Sequence, residues 1–290
     1  MEKQEKNTKK SDQPGCIPSL MQFLSTVLLT PASLLTLIVP GLGHLLTAKP
    51  LKGLFWFIAV EGSFILGYAI LGIRFFGGGL NLGTVMMGLP LNYVPEVGNF
   101  LATFLLVRSF PAMGSPQWMD AVSLAKLPVS MEHIGFLLTA LSGILNLFAA
   151  ADAWWIAKHP QTLDKKINTP SISALLSWLV PGLGQWKLGY KWKGIFYFVS
   201  LTALYLLGLI FSNFTAVDRS QVYYWYAGMI LNGGATIIST IFFAPLPFTN
   251  TNSLMWDLGV TTTCVAGLFN VVVILEAYTL SEKILLGEKK

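Results

Sequence analysis

Three acidic residues, Glu61, Asp152 and Glu276, lie in long apolar segments, where a charged side chain is costly and often binds protons or cations. Lys158 follows Asp152 by six residues and Lys283 follows Glu276 by seven, and six helical residues rise only about 9 Å. We therefore expect Asp152 and Glu276 to reach the head-group zone. A proton or cation site and a buried pair with a basic group are the alternatives. Glu61 is the candidate for an intramembrane charge, held by a packing hydrogen bond or an ion pair.

The other polar residues form no catalytic or metal-binding pattern. The histidines His44, His133 and His159 lack metal-ligand spacing, and no nucleophile, zinc-protease or phosphate-loop motif occurs. His44 belongs to a sequence motif that occurs twice, and Gln185 stands at its position in the second copy. This replacement indicates a polar interfacial group at His44 rather than a metal ligand. We predict no catalytic residue, no metal and no cofactor, and keep a lipid-modifying enzyme that uses Glu61 or His44 as an alternative.

The composition is that of an integral membrane protein. Charged residues make up 11% of the chain, hydrophobic residues 53%, and the mean hydropathy is +0.61, whereas soluble domains carry about 25% charged residues. The formal net charge is +5, but Lys and Arg lie in short clusters between apolar runs, where they set topology or contact anionic lipid. We therefore expect the lipid bilayer and other membrane proteins as partners, and no nucleic acid.

Eight apolar segments are read as membrane helices, because backbone at membrane depth must satisfy its own hydrogen bonds. The sequence thus predicts an all-α, polytopic helical membrane protein with about eight membrane helical segments. The segments are Ile17–Val39, Leu51–Ile73, a weaker Gly83–Val107, Ile134–Ala157, Ile172–Trp186, Trp192–Phe211, Tyr223–Phe243 and Leu258–Leu280.

A five-residue motif, Pro-Gly-Leu-Gly followed by His or Gln, occurs at 40–44 and again at 181–185. Lys-Gly follows each copy at the same distance, so both pairs are 141 residues apart, which indicates a tandem internal repeat. Proline removes a backbone donor and glycine permits unusual backbone angles, so each copy should break or kink a helix. The turn-motif residues are Pro40, Gly41, Gly43, Lys52 and Gly53, then Pro181, Gly182, Gly184, Lys193 and Gly194.

A second match lies in the last helix of each half. Gly143 and Asn146 correspond to Gly267 and Asn270 at an offset of 124 residues, which is also the offset between the acids at 152 and 276. Small residues let helices approach closely, and asparagine can hydrogen-bond across them. We predict helix packing at these four positions.

The repeat divides the chain into a polar tail at 1–16, a first membrane repeat at 17–158 and a second at 171–281. A polar linker at 159–170 separates the repeats, and a polar tail at 282–290 ends the chain.

Two topologies fit these segments. If all eight span, both halves share one orientation; if the two Pro-Gly segments are re-entrant, six spans remain and the halves are inverted. Ile172–Trp186 has only 15 residues, fewer than the about 20 of a full span, so we expect the first helix of each half to be short or broken. In both topologies the Lys and Arg distribution favours a cytoplasmic N-terminus and C-terminus.

Lysine and aromatic residues alternate after the second motif, which is typical of a membrane–water interface. We predict a helix-hairpin turn at the head groups. A docking site for anionic head groups or a partner, or a re-entrant element lining a cavity, is the alternative. The lysines are Lys187, Lys191 and Lys193, interleaved with Trp186, Tyr190 and Trp192.

The Pro-Gly-Leu-Gly-His/Gln motif with its following Lys-Gly resembles a small multi-pass bacterial membrane domain family whose members are functionally uncharacterised. It is distantly similar to the two-pass domain in which a glycine-bearing turn joins two helices. The resemblance implies a protein of the bacterial cytoplasmic (inner) membrane and supplies no catalytic residue. The first half departs from the pattern, with Thr47, Ala48 and Pro50 where the second half has Leu188, Gly189 and Lys191.

These observations predict a non-enzymatic membrane protein that acts as a structural, assembly or accessory component. The alternative is a small transporter or channel built from two repeats, since transporters commonly combine internal repeats with broken helices.

Overall fold

The computed structural model describes residues 30–71, 132–160, 169–217, 222–244 and 254–288. Every regular element in these ranges is a helix and none is a strand, so the all-α prediction is confirmed for this part of the chain. The polar N-terminal tail, residues 17–29, the segment Gly83–Val107 and most of the linker lie outside the described residues.

The described part of the first half contains two short helices and two long ones. They are α1 (Pro31–Ile38), α2 (Leu42–Leu46), α3 (Pro50–Leu71) and α4 (Glu132–Lys158).

The described part of the second half has the same pair of short helices, two long helices, and a broken pair between the long ones. The helices are α5 (Pro170–Leu179), α6 (Leu183–Lys187), α7 (Lys191–Phe211), α8 (Tyr223–Met229), a 3-10 turn (Ile230–Asn232), α9 (Gly234–Phe243) and α10 (Leu254–Leu286). Helix α5 starts at Pro170, the last residue of the predicted linker, and α10 continues past residue 281 into the predicted tail.

Four described helices, α3, α4, α7 and α10, are long and apolar enough to cross a membrane. The α8–α9 pair would add a fifth only as one broken span, since it bends by 118°. Eight spans are therefore not seen in the described residues. Ile172–Trp186 divides into the ten-residue α5 and the five-residue α6, and the described part of Ile17–Val39 contains only the eight-residue α1.

The Pro-Gly motif breaks the helix in both halves. A residue before proline is driven to extended backbone, and Val39 and Val180 have φ/ψ of −133/110° and −136/111°. Gly41 and Gly182 then adopt left-handed φ of 81° and 82°, which glycine tolerates without steric cost. The chain therefore reverses at each motif, forming a first hairpin (α1–α2) and a second hairpin (α5–α6).

The first hairpin enters and leaves on one side of the fold. Asn146, near the middle of α4, donates a hydrogen bond to Leu37 O at the tip of the hairpin (3.2 Å). The two ends of the hairpin, at Thr30 and Leu46, line one cavity with Lys158 at the end of α4. The hairpin therefore reaches the middle of α4 and returns to the end of the fold from which it entered.

The long helices α4 and α10 are parallel, and this fixes the relation between the halves. Trp155 near the end of α4 and Leu285 near the end of α10 share one buried cluster. Leu137 near the start of α4 and Val260 near the start of α10 share another. The last helices of the two halves therefore run in the same direction.

Seven lysines lie on the face where α4 and α10 end, which we call the lysine face. The opposite end of the fold is called the far face. The described lysines of the lysine face are Lys49, Lys52, Lys158, Lys187, Lys191, Lys193 and Lys283.

Candidate functional site

The Asp152 carboxylate is fully buried and is the centre of a polar cluster, the Asp152 cluster. His44 Nε2 lies 2.9 Å from Oδ2, and Trp56 Nε1 donates to the same oxygen at 3.1 Å. Lys52 Nζ lies 2.7 Å from Oδ2 and 2.9 Å from Oδ1, and Thr169 Oγ1 donates to Oδ1 at 2.5 Å. An ionised carboxylate only accepts hydrogen bonds, so His44 Nε2 must carry a hydrogen.

The donors come from different elements, and the carboxylate ties them together. His44 is on α2, Lys52 and Trp56 are on α3, and Thr169 immediately precedes α5. Asp152 is 0% exposed, whereas the Lys52 side chain is 31% exposed, so the cluster meets the surface through its lysine. The first hairpin packs over this end of α4 and buries Asp152, whereas its interfacial depth stays a prediction. The structure shows the alternative, a buried pair with a basic group.

The second half carries a related but more open cluster around Glu276, the Glu276 cluster. Lys193 Nζ pairs with Glu276 Oε1, and the side chains are 43% and 25% exposed. The Tyr197 side chain lies beside Glu276 and interacts with its carboxylate. Lys193 and Tyr197 stand 141 residues after Lys52 and Trp56, so acid, lysine and aromatic recur at matching positions.

Gln185 explains why the second cluster is smaller. It occupies the position of His44, but its Nε2 donates to the Val273 backbone oxygen (2.8 Å) and its Oε1 accepts from Ser177 Oγ (2.9 Å). Both polar atoms of the amide are thus used within the hairpin and on α10, and neither reaches Glu276.

Trp56, Tyr197 and Thr169 were not singled out from the sequence. The first two had a readable signal, since an aromatic residue follows the motif lysine by four positions in both halves and therefore lies on the same helix face. Thr169 has no such signal, because its contact depends on how the linker returns to α4.

Glycines hold each hairpin against the following long helix. A side chain at Gly41 would collide with the Gly53 carbonyl, and one at Gly182 would collide with the Gly194 carbonyl. The motif proline and glycines therefore set the distance at which the motif lysine can reach its acid.

Gly43 and Gly184 let the two short helices of each hairpin, its arms, pack closely against each other. Gly43 N donates to Thr36 Oγ1 and Gly184 N donates to Ser177 Oγ, both at 3.1 Å. A Cβ at either glycine would collide with the carbonyl of the facing arm.

The asparagines of the packing prediction hold the hairpin tips. Asn270 Nδ2 donates to Ser177 O (3.4 Å) and to Leu231 O (3.0 Å), as Asn146 does to the first hairpin. Carbonyls at a helix C-terminus lack helical partners, so each asparagine satisfies one inside the fold. Gly143 is buried, and Gly267 lets α10 touch the Gly228 carbonyl.

The remaining candidates lie apart from these clusters. Glu61 is partly buried in α3 and has an interaction partner. His159 stacks on Trp155 with ring centroids 4.1 Å apart, and its burial together with the charge of Lys158 holds the pKa of its imidazole below the usual range. His133 is on the far face. Among the described residues no group of three His, Cys, Asp or Glu side chains could hold a metal ion.

Comparison with known protein families gives a match that covers most of the chain. The family described as "Family of unknown function (DUF6677)" matches residues 31–166 and 172–290. The matched ranges include both acid clusters except for Thr169. No curated protein and no solved structure matches the chain.

Proposed function

The chain belongs to a family of unknown function (DUF6677), and we propose that it is a non-enzymatic structural or accessory protein of the bacterial cytoplasmic membrane. Its apolar helices make it a membrane protein. In this proposal the Asp152 cluster locks the fold, and the lysine face docks anionic lipid head groups.

The observation that carries the proposal is the saturation of the Asp152 carboxylate by its own chain. Both oxygens accept hydrogen bonds from side chains of the protein, and the acid has no exposed surface. A carboxylate that binds a substrate or a transported ion directly needs an open position, and neither Asp152 oxygen is without a partner. A saturated and buried one instead fixes elements relative to each other, because water does not reach it to replace its partners.

The second half supplies the docking surface. Lys187 and Lys191 are exposed on the lysine face, and neither forms an ion pair within the described residues. Trp186 is 49% exposed and Trp192 is 85% exposed, and indole rings at such positions favour the head-group region. Lysines beside interfacial tryptophans attract anionic head groups.

We assign the lysine face to the cytoplasm. Cytoplasmic loops carry the excess of Lys and Arg, and seven of the described lysines are on this face. The last helix also ends there, which supports a cytoplasmic C-terminus.

We further attribute the two halves to a tandem duplication. The equal offsets of motif, lysine and aromatic support this, as do the closely similar backbone angles at Val39 and Val180 and at Gly41 and Gly182. The His44 to Gln185 difference then marks divergence: one cluster became closed and the other stayed open.

We expect substitution of Lys187 and Lys191 by glutamine to weaken binding of anionic lipid. Each lysine near an anionic surface contributes about 1 kcal/mol, so the double variant should lose about 2 kcal/mol, or about thirtyfold in affinity. The measurement is native mass spectrometry of the detergent-solubilised protein titrated with phosphatidylglycerol and, separately, phosphatidylcholine.

Lys49→Gln is the matched control, because Lys49 is exposed on the equivalent turn of the first hairpin without neighbouring tryptophans. It should change phosphatidylglycerol binding by no more than the effect of one lysine. Equal affinity of the native protein for both lipids, or an unchanged double variant, would rule out the docking surface.

A small transporter or channel is the second candidate. Broken helices that meet in the middle of the fold favour it, because transporters place their sites at such breaks. The shared direction of α4 and α10 removes the support that inverted repeats would have given. Solute uptake by proteoliposomes that is lost in Asp152→Asn, with the fold retained, would favour transport over the structural role.

A further inference from the structure

The helices α8 and α9 form a third hairpin, which enters from the far face. Phe243 at the end of α9 stacks on Phe214, just after α7, with ring centroids 4.8 Å apart. Tyr226 of α8 packs with Leu137 and Val260, which lie near the starts of α4 and α10. The third hairpin therefore opposes the second, which enters from the lysine face.

The tips of these two hairpins touch at half height. Trp178 Nε1 donates to Ile230 O at 3.0 Å, and a side chain at Gly233 would collide with the Trp178 carbonyl. Asn270, the central residue of the 33-residue α10, bonds both tips at once. We call this contact the hairpin junction.

The hairpin junction contains amide groups that its own chain leaves without partners. Three buried side-chain atoms have no hydrogen-bond partner in the described structure: Asn232 Oδ1, Asn232 Nδ2 and Asn270 Oδ1. Both residues are 0% exposed. Leaving such a group unsatisfied costs about 1–3 kcal/mol, and membrane lipid offers no hydrogen bond in exchange. Asn270 Nδ2 donates to the carbonyl of Leu231, the residue before Asn232, so the two acceptors and the one donor group belong to neighbouring residues and together call for a ligand.

The surroundings define the chemistry of that ligand. The segments that meet here, 170–179, 223–244 and 258–275, contain no Asp, Glu, Lys, Arg or His. Along α10 the nearest acids, Glu276 and Asp257, are about 9 and about 20 Å from Asn270 by helical rise. A charged ligand would find no countercharge, whereas a neutral molecule that both donates and accepts would satisfy the amides.

We propose that the hairpin junction is a binding site for a small neutral hydrogen-bonding molecule, with water as the ligand, held by Asn232 and Asn270 in the middle of the membrane. Buried waters typically make about three hydrogen bonds to groups that would otherwise be unsatisfied. The proposal is independent of lipid docking on the lysine face. It gives the second half a hydrated contact between two hairpins in place of a dry packing surface.

Water-edited solid-state NMR of the full chain in liposomes tests this, with asparagine and glutamine side chains labelled with nitrogen-15. The Asn232 amide should receive magnetisation from water several-fold faster than Gln185, which is equally buried but bonded within the protein. It should approach the rate of the exposed Asn213. A transfer rate for Asn232 equal to that of Gln185 would overturn the proposal.

Asn232→Leu assigns the signal and gives a second test. If the junction is dry, leucine removes an unsatisfied amide and the apparent Tm rises. If water is bound, the same change strips the water of partners and the apparent Tm falls, which is the result we expect.

Discussion

Replacing Asp152 with alanine should lower the free energy of unfolding by about 3–5 kcal/mol, since removing one partner of a buried ion pair leaves the other charge uncompensated. Four groups would lose the carboxylate as their hydrogen-bond acceptor: those of Lys52, His44, Trp56 and Thr169. The first hairpin, α3 and the start of α5 would then lose their common attachment to α4. Reversible unfolding in mixed micelles with increasing SDS measures the change.

Glu276→Ala is the matched control. The Lys193–Glu276 pair is partly exposed, and such pairs contribute about 1 kcal/mol or less. The double variant Asp152→Leu with Lys52→Met should recover much of the loss, because replacing both charges with apolar groups is often close to neutral. Equal losses of unfolding free energy from Asp152→Ala and Glu276→Ala would contradict the assignment of the Asp152 cluster as closed and the Glu276 cluster as open.

Gly182→Ala should destabilise the protein by about 2–5 kcal/mol. A left-handed backbone costs a residue with Cβ about 1–2 kcal/mol, and overpacking adds about 1–3 kcal/mol. Gly182 has φ of 82°, and its Cβ would collide with the Gly194 carbonyl. Because the second hairpin would be pushed from α7, the contact between Lys193 and Glu276 should loosen as well. The same SDS titration measures the effect.

Gly287→Ala separates strain from collision. Gly287 has φ of 79° but open space around its Cβ position, so only the backbone cost of about 1–2 kcal/mol is expected. Gly62→Ala, in open space within α3, controls for the added methyl group. A Gly182→Ala effect no larger than that of Gly287→Ala would mean that hairpin and helix are not closely packed.

The helix breaks could be predicted from the sequence because their causes are local. A proline follows Val39 and Val180, and a glycine follows each proline. These residues change the backbone conformation only within two positions, and the structure has the helix breaks there. The glycine pair of the third hairpin, Gly233-Gly234, carried a similar local signal that was not read, and its segment was predicted as one helix.

The pairing of His44 with Asp152 could not be predicted, because the two residues are 108 positions apart. Their contact depends on the first hairpin folding back over α4, and hydropathy reports only that a segment is apolar. The repeated positions of the motif lysines and the acids could be read from the sequence, but the distance in space between each lysine and its acid could not. For the same reason, the shared direction of α4 and α10 follows from helix packing and not from length or charge.

Single-cysteine labelling tests the central claim, that both Pro-Gly hairpins open on the same face. Cysteine would be placed at Lys49, Lys191 and Leu254 in a chain with Cys16→Ser and Cys264→Ala, and labelled in sealed inverted and right-side-out vesicles. Leu254, exposed at the start of α10, reports the far face. We predict that the cysteines at 49 and 191 react from the cytoplasmic side and the one at 254 from the opposite side. Labelling of 49 and 191 from opposite sides would contradict the account.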